Sequence, residues 1–281
     1  MTTFKIKSHA KLNLALSITG KSFQLHKIES IISFIDLYDL IYLKLINSKN
    51  HKVTFEGKFS KGIGKKNTVS NLLKLLDKKK FLSNKKFKIR IIKNIPQESG
   101  MGGGSINAAS LINFFIVKKI IKIKNSELYK LTKMIGSDVI LGIKPTDSIL
   151  TSNGKIKRYK QKSKLYTLVV KPNFGCSTRY IFSKVKSFSN SKFNFPKPSM
   201  FNKKYLKKLD NDLEKIAFKK HPKLKNIKSF LSTIPNTIFV RMSGSGSAIV
   251  AYFQSKKACG VALKQFKQKF NSYWCIASKT I

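Results

Sequence analysis

The feature that most constrains this chain is a segment with four glycines among five residues, placed after a strand pattern and before a helix pattern. The segment is IPQESGMGGGS at residues 95–105. Before it, residues 87–91 alternate apolar and charged side chains, as a half-buried strand does. After it, apolar residues recur at helical spacing: Ala108, Ala109, Leu111, Ile112, Phe115 and Ile116. The order strand, loop, helix is therefore predicted.

The glycines indicate an anion site. Without Cβ atoms, glycines let backbone N–H groups approach an anion closely, and a helix start adds the positive end of its dipole. The alternative is a plain turn, which needs one glycine rather than four. No Lys-Ser or Lys-Thr follows at Walker A spacing, and no acidic residue lies about twenty positions on to hold a ribose. The P-loop and Rossmann interpretations are therefore excluded.

The rest of the first half alternates strand and helix patterns. Residues 3–18 and 28–46 are β-rich and flank a polar loop at 20–27. Residues 67–80 have helical spacing. A further helix from about Glu127 is expected to end at Gly136 in a left-handed cap, which puts Ser137 and Asp138 in a turn.

A polar, glycine-containing stretch at 152–164 predicts a boundary between two domains, 1–155 and 156–281. Patterns in the second half predict a strand at 165–171, helices at 205–219, 223–232 and 255–270, and strands flanking SGSGS at 243–247. Residues 183–200 are expected to form a loose loop. Mixed patterns of this kind favour an α+β sandwich in each half.

Composition limits the class of protein. The 57 Lys and Arg against 12 Asp and Glu give a formal charge of +45, which suggests a polyanion partner. The lysines are spread along the chain rather than clustered, which favours a solvated surface. Three cysteines without a C-x-x-C pair predict neither a disulfide framework nor a metal site. The start lacks an apolar signal core, so a cytoplasmic protein without membrane contact is expected.

Three segments together resemble a known superfamily. SHAKLNLAL at 8–16, the glycine-rich segment and RMSGSGSAIVAYF at 241–253 occur in the order of the signatures of the galactokinase, homoserine kinase, mevalonate kinase and phosphomevalonate kinase (GHMP) superfamily. LHKIESIISFIDLYD at 25–39 and NDLEKIA at 211–217 are most similar to the 4-diphosphocytidyl-2-C-methyl-D-erythritol kinase family.

The resemblance implies a fold and a chemistry. It implies the two-domain α+β fold of GHMP kinases, with an N-terminal ATP-binding domain and a C-terminal ferredoxin-like α/β sandwich. ATP and Mg²⁺ are the implied cofactors, and no dedicated protein metal site is expected. Asp138 matches the family's catalytic aspartate, which takes the proton of the acceptor hydroxyl. Lys11 matches the lysine beside that aspartate, and the pair is expected to face the γ-phosphate of ATP. An ammonium at this place favours the ionised form of the Asp138 carboxylate.

The resemblance also implies binding residues. The ATP-binding set comprises Pro96, Gln97, Glu98, Ser99, Gly100, Met101, Gly102, Gly103, Gly104, Ser105 and Ile106, with Asn67 near the adenine. Asn13 and His26 match positions that hold the small-molecule substrate 4-diphosphocytidyl-2-C-methyl-D-erythritol. Ser177 and Thr178 fall in the segment that lines the acceptor pocket, and Phe182 matches an aromatic beside the cytosine, although it also fits a core aromatic. Gly244 and Gly246 are expected to offer N–H groups to phosphate, with a plain hairpin turn as the alternative.

Three positions depart from the family pattern. Leu25 replaces a tyrosine that can stack on cytosine, so Phe23 or Phe182 is expected to supply that contact. Ile140 replaces a proline. Glu98 lies inside the phosphate loop, where its carboxylate repels ATP unless it points away or meets Mg²⁺.

Two alternatives stay open at the level of sequence. One is a sister kinase acting on homoserine, mevalonate or a related alcohol. The other is an RNA-binding protein of related fold, favoured by the charge but lacking an interleaved aromatic and basic platform. No specific nucleic-acid partner is predicted, and the chain is expected to be a monomer or a homodimer.

Overall fold

A computed structural model describes residues 2–23, 25–160 and 164–281. The predicted polar segments at 20–27 and 152–164 include Gln24 and residues 161–163, which lie outside the described residues. The chain forms two compact units. The first contains the described residues up to Ala10, Leu37–Pro96 and Gly102–Pro145; the second contains Lys11–Asp36, Gln97–Met101 and Thr146–Ile281. The predicted boundary at 155/156 therefore lies inside the second unit.

The chain opens with two long strands, β1 (Phe4–Ser22) and β2 (Leu25–Ile46), which pair with each other. Both extend the β-rich segments predicted at 3–18 and 28–46. Because each strand is so long, it contributes residues to both units, and a single cut in the sequence cannot separate them.

Of the remaining strands of this sheet, β4 and β5 pair directly with β2, and β3 and β6 pair with those two strands. In the first unit, β3 (Lys52–Glu56) pairs in parallel with β4 (Lys86–Ile92), which pairs antiparallel with Leu40–Ile46 of β2. In the second unit, Ser30–Ile32 of β2 pair with β5 (Ser148–Leu150), which pairs with β6 (Ile156–Arg158). The alternation at 87–91 therefore correctly predicted β4.

Four helices belong to the first unit: α1 (Thr68–Lys78), α2 (Gly103–Val117), α3 (Asn125–Ile135) and α4 (Val139–Gly142). Apolar residues of α1, α2 and β4 share one core. Full burial of a Leu, Ile or Phe side chain contributes about 1.5–3 kcal/mol, so α2, which buries Leu111, Ile112 and Phe115, is firmly packed. The predicted helix after the glycine-rich segment is confirmed.

Gly136 ends α3 as predicted, but its conformation was predicted wrongly. Its φ is 167° and its ψ 151°, which is extended backbone rather than the left-handed cap. The chain leaves the helix in extended form because it turns directly into α4 through Ser137 and Asp138, which form the predicted turn.

The second unit contains a four-stranded antiparallel sheet in the order β10-β7-β9-β8. Its strands are β7 (Tyr166–Lys171), β8 (Thr237–Met242), β9 (Ile249–Phe253) and β10 (Trp274–Lys279). Its helices are α5 (Thr178–Ser183), α6 (Lys203–Lys207), α7 (Leu213–Lys220), α8 (Pro222–Thr233) and α9 (Lys256–Lys269), with a 3-10 turn at Pro198–Phe201. The apolar faces of the sheet, α7, α8 and α9 form one core.

The single helix predicted at 205–219 is wrong, because α6 and α7 are separated by residues 208–212. Leu16 of β1 explains the break. Its N–H donates to the carbonyl of Asp210 (3.1 Å), and its carbonyl accepts from the N–H of Asp212 (3.0 Å). These bonds hold the segment extended beside β1, so its amides are not available to continue a helix.

Two further findings concern the cysteines and the apolar character of the helices. All three cysteines are free thiols. Within the described ranges, no helix combines the length and apolar character needed to cross a membrane.

Candidate active site

The glycine-rich segment connects β4 to α2, as the sequence predicts. Gly102 is the residue before α2 and has a φ of 71°, in the left-handed region that favours glycine. It has no side chain with which to cap the helix. The first N–H groups of a helix have no partner within the helix, so the start of α2 presents amides and a positive dipole end. This arrangement suits an anion.

The start of α1 and the end of α3 lie against the start of α2 in the first unit. A Cβ placed on Gly104 would lie 3.1 Å from Oγ1 of Thr68, the first residue of α1. A Cβ placed on Gly136 would lie 3.3 Å from Oγ of Ser105 in α2. Asp138, half-buried, directly precedes α4 two residues later. The structure thus places Gly136, two residues before the predicted Asp138, at the same end of α2 as the glycines.

Asn67 has a structural role in this cluster. Its side-chain carbonyl accepts from the N–H of Ser70 (2.9 Å) and caps α1, and its amide donates to the carbonyl of Gly64 (3.0 Å). Because both ends of the side chain are engaged, Asn67 fixes the start of α1 beside Gly104.

Lys11 is held in the second unit by a relay of side chains. It is 4% exposed, and its Nζ donates to Oδ1 of Asn13 (2.6 Å). Nδ2 of Asn13 donates to Oγ of Ser30 (2.8 Å), which donates to the carbonyl of Ala15 (2.5 Å). The relay fixes which end of the Asn13 amide faces Lys11, so the ammonium is positioned before any ligand arrives.

The middle of the glycine-rich segment is anchored to SGSGS within the second unit. Oγ of Ser243 donates to the carbonyl of Gly100 (3.0 Å), and the N–H of Ser247 donates to the carbonyl of Glu98 (3.0 Å). The N–H of Gly246 donates to the carbonyl of Ser243 (2.9 Å). In this structure SGSGS therefore supports the glycine-rich segment, and the Gly246 amide is engaged within the protein.

Gly100 shows how close this packing is. Its φ is 72°, and an added Cβ would lie 1.9 Å from the carbonyl oxygen of Ser243. Glu98, two residues earlier in the chain, also has a positive φ of 48°. The sequence reasoning assigned the glycines to ligand approach, whereas Gly100 is required by the protein's own backbone.

The Glu98 carboxylate lies against Gly175 in the second unit. A Cβ on Gly175 would fall 2.1 Å from Oε2 of Glu98. Burial lowers the pKa of Lys171, and the nearby Glu98 carboxylate raises it. Burial also raises the pKa of the Cys176 thiol to about 11, with Lys171 lowering it and Glu98 raising it further. The Glu98 charge is therefore partly offset by the Lys171 ammonium.

An aromatic cluster surrounds His26 in the second unit. Its ring centroid lies 5.4 Å from that of Phe182 and 6.4 Å from that of Phe188. Burial and the Lys21 ammonium lower the pKa of His26, so the ring is neutral at pH 7. Phe182 also packs against the core, so both predicted roles are compatible. Phe188, half exposed, was missed because it falls in the predicted loose loop.

The other predicted acceptor-pocket residues lie around α5. Ser177 caps this helix by accepting from the N–H of Tyr180 (3.3 Å). Oγ1 of Thr178 lies 2.9 Å from Oγ of Ser245 in SGSGS. Leu25, which departs from the family pattern, is 77% exposed, and Phe23, one of the two aromatics expected to replace its contact, is fully exposed. Phe182, rather than Phe23, is the aromatic residue beside His26.

NDLEKIA supports SGSGS, a role that the sequence reasoning did not assign. Nδ2 of Asn211 donates to the carbonyls of Met242 (2.8 Å) and Gly244 (2.7 Å). The Glu214 carboxylate accepts from the N–H of Met242 (2.7 Å) and pairs with Lys228 (2.5 Å). The motif was recognisable in the sequence, but its partners lie some thirty residues away and only the fold shows them.

Comparisons with known proteins identify the family. Residues 67–147 match the GHMP kinases N terminal domain. The chain is 64% identical over 281 residues, the whole of both chains, to the 4-diphosphocytidyl-2-C-methyl-D-erythritol kinase of Pelagibacter ubique (strain HTCC1062). The chain belongs to the 4-diphosphocytidyl-2-C-methyl-D-erythritol kinase family. As a member of this family of GHMP kinases, it is a phosphotransferase that uses ATP.

Solved structures show the same fold in this family and in its neighbours. A crystal structure of 4-(cytidine 5'-diphospho)-2C-methyl-D-erythritol kinase matches with a TM-score of 0.78 at 21% identity, covering 98% of this chain and 99% of the other. The homoserine kinase of Cytophaga hutchinsonii matches with a TM-score of 0.73 at 14% identity, covering 100% and 95%. The predicted two-domain α+β GHMP kinase fold is confirmed.

Proposed function

We propose that the chain transfers the γ-phosphoryl group of ATP to the 2-hydroxyl of 4-diphosphocytidyl-2-C-methyl-D-erythritol, in the non-mevalonate route to isoprenoid precursors. The observation that carries the proposal is the group of elements at the start of α2 in the first unit, where Gly136, two residues before Asp138, lies close to Ser105 of α2. The acceptor is taken from the name of the relative that is 64% identical over its full length.

The phosphate of ATP binds the glycine-rich segment in this proposal. Phosphoryl transfer through a loose transition state needs mainly alignment and charge neutralisation, which fixed amides and a helix dipole supply. Gly102, Gly103, Gly104 and Ser105 provide these amides at the start of α2. Asp138 accepts the proton of the attacking hydroxyl as the new bond forms, so it needs no strongly raised basicity.

Residues of the second unit bind and orient the other groups. Lys11, fixed by Asn13, supplies a positive charge that stabilises the phosphoryl oxygens as charge develops on them. His26 and Phe182 form an aromatic surface that suits a flat pyrimidine ring. Ser177, Thr178, Gly244 and Gly246 belong to the same unit and complete the proposed substrate-binding set.

Magnesium is part of the proposal as the ion that accompanies ATP. Among the described residues, no group of three or more His, Cys, Asp and Glu side chains could hold a metal ion. This fits Mg²⁺, which is commonly bound through one or two protein oxygens together with substrate phosphates. The Ser105 hydroxyl at the start of α2 would help to hold it, and the ion would neutralise phosphate charge.

Product analysis tests the function directly. The purified chain is incubated with Mg-ATP and 4-diphosphocytidyl-2-C-methyl-D-erythritol, and the products are followed by phosphorus NMR. A new phosphomonoester resonance that grows as ADP accumulates is expected. ADP formation without that resonance would show that the acceptor is wrong, and no ATP consumption would refute the kinase proposal itself.

Two alternatives are tested by the same preparation. A sister kinase would phosphorylate homoserine or mevalonate faster than the proposed acceptor in a panel assay. An RNA-binding protein would bind RNA with a steep salt dependence and show no ATP turnover. The proposed kinase is favoured over both because the relatives that match the whole chain at 28–64% identity carry one and the same name.

The remaining proposals concern location and assembly. We infer a cytoplasmic location from the small charged substrates, which occur where ATP does. A monomer or a homodimer remains the prediction from the sequence. Size-exclusion chromatography with light scattering would distinguish these two states.

A further inference from the structure

Asp39 is a buried carboxylate that the proposed reaction does not use. It lies in β2 in the first unit and has no exposed surface. Its Oδ1 accepts from the N–H groups of Asn94 (2.8 Å) and Ile95 (2.8 Å). Its Oδ2 accepts from Nδ2 of Asn107 (3.0 Å) and forms an ion pair with Lys93. Four donors therefore converge on one side chain.

These donors come from both ends of the glycine-rich segment. Asn94 directly precedes the segment, Ile95 is its first residue, and Asn107 lies in α2, two residues after its last residue. The ion-pair partner, Lys93, is also close to the helix start, since a Cβ on Gly103 would lie 3.3 Å from its Nζ. One carboxylate thus joins the end of β4 to the first turns of α2.

The charge of Asp39 is needed to hold this arrangement. Lys93 is 3% exposed, so removing the carboxylate charge would leave an ammonium buried without that partner, which is strongly unfavourable. Charge-assisted hydrogen bonds are also shorter and stronger than neutral ones. A neutral side chain at position 39 is therefore expected to let Lys93 or Asn107 move, and with them the start of α2.

We propose that Asp39 is a positioning residue that sets the spacing between the two ends of the nucleotide-binding segment. This inference rests on the proposed function, because it assumes that the α2 amides bind the phosphates of ATP. Asp39 itself touches no substrate. It acts by fixing where the amides stand, and misplacing a binding group by about 1 Å can lower the rate by about 10²-fold.

The test is Asp39→Asn in the full chain, with steady-state kinetics for both substrates. We expect kcat/KM for ATP to fall by about 10²-fold, while KM for the acceptor stays within about 3-fold of the wild-type value. Hydrogen exchange of the amides at 98–106 is expected to accelerate more than exchange elsewhere in the first unit, which a general loss of stability would not produce.

Asp77→Asn is the matched control. Asp77 lies in the first unit too, and pairs with Lys86 (2.7 Å) and His51 (3.2 Å), so it also loses a lysine partner. Its bonds connect α1 to the start of β4 and do not reach the glycine-rich segment. The control is expected to leave kcat/KM for ATP unchanged within about 3-fold. An equal loss in both variants would overturn the proposal.

A compensating variant adds a second test. In the double variant Asp39→Asn with Asn107→Asp, an amide and a carboxylate again face each other, and one negative charge remains for Lys93. Partial recovery of kcat/KM for ATP over Asp39→Asn is expected. If Asp39→Asn does not fold, Asn107→Ala keeps the ion pair and removes only the bond to α2; an unchanged kcat/KM for ATP in that variant would overturn the inference.

The outcomes separate this inference from the function beneath it. A wild-type chain without ATP-dependent phosphorylation would refute the proposed function. An active wild type with a folded Asp39→Asn variant of unchanged kcat/KM for ATP would refute the positioning role alone.

Discussion

Asp138 is the side chain whose role can be tested most directly. It is half-buried, directly precedes α4 and follows by two residues Gly136, which lies close to Ser105 of α2. Asp138→Asn keeps the size and removes the proton acceptor, so turnover is expected to fall by about 10² to 10⁴-fold while ATP binding is nearly kept. Turnover is measured by ADP release and binding by calorimetry with a non-hydrolysable analogue.

Asp36→Asn is the control for that variant, because Asp36 is an exposed carboxylate in β2. Its turnover is expected to match the wild type. Full activity in Asp138→Asn would refute the assigned role.

His51 makes the stability depend on pH. Burial lowers its pKa, and the Asp77 carboxylate raises it in part. Its Nδ1 accepts from the N–H of Phe87 (3.1 Å), which requires that nitrogen to be unprotonated. Since the pKa is lower in the folded state, the unfolded chain binds more protons below about pH 6.5. The stabilising contribution of neutral His51 to the free energy of unfolding is fully present above about pH 6.5 and is lost as the pH falls.

The free energy of unfolding, measured by urea titration between about pH 8 and pH 5, is expected to decline with falling pH. In His51→Gln, whose side-chain carbonyl can still accept from Phe87, the decline should be smaller. Identical slopes for the two proteins would contradict this assignment.

At the scale of single residues, the sequence predicted some of the proposed functional side chains and gave no signal for others. Asp138 and Lys11 could be named because they fall in recognisable motifs. Asp39 could not, because an aspartate in an apolar strand pattern resembles a solvent-facing residue, and its donors lie 54 to 68 positions away. Such partners are set by β-sheet register, which a local pattern does not specify.

At the scale of elements, local patterns predicted those with strong periodicity. The strand β4 and the helices α1 and α2 were found because apolar residues repeat along them. The break between α6 and α7 was not, because it depends on hydrogen bonds to Leu16. β10 was also missed; its partly exposed residues show little alternation, and its pairing with β7 defines it.

The glycine-rich segment shows an element whose shape depends on its neighbours. Gly100→Ala is expected to destabilise the protein and weaken ATP binding. The left-handed conformation alone costs a residue with a Cβ about 1–2 kcal/mol. At Gly100 the new Cβ would also meet the Ser243 carbonyl, so the segment must shift. Thermal unfolding and calorimetry with an ATP analogue measure the two effects.

Gly62→Ala separates strain from the clash. Gly62 has a φ of 83°, and a Cβ there would meet nothing within 4 Å. It is therefore expected to lower the melting temperature slightly and leave ATP binding intact. If Gly100→Ala had no greater effect than Gly62→Ala, the close contact with Ser243 would not matter for the segment.

At the scale of the whole molecule, charge is the dominant property. The formal charge of +45 arises from lysines distributed along the chain rather than from one patch. Such a field attracts anions in general, and both proposed substrates are anionic. Electrostatic attraction can raise association rates by about 10 to 10³-fold, and this gain falls with ionic strength. The charge is therefore expected to raise the association rates of the proposed substrates even without a nucleic-acid partner.

Raising the salt from about 0.1 M to about 1 M shortens the Debye length from about 10 Å to about 3 Å, so distant lysines no longer act on a free substrate. KM for ATP and for the acceptor is expected to rise by about 10-fold, with kcat changing much less, because bound groups are screened less than free ones. Steady-state kinetics in potassium chloride and in potassium acetate at equal ionic strength measures this and controls for specific anion effects.

Adding RNA at low salt tests how selectively the positive electrostatic field of the lysines attracts anions. Because RNA competes for the same diffuse charge, it should inhibit at about 0.05 M salt and lose its effect steeply as salt rises. Inhibition that persisted at about 0.5 M salt would require a specific RNA-binding site instead.

In the salt experiment without RNA, kinetic constants independent of salt would show that the lysines near the substrate path, rather than the total charge, govern binding.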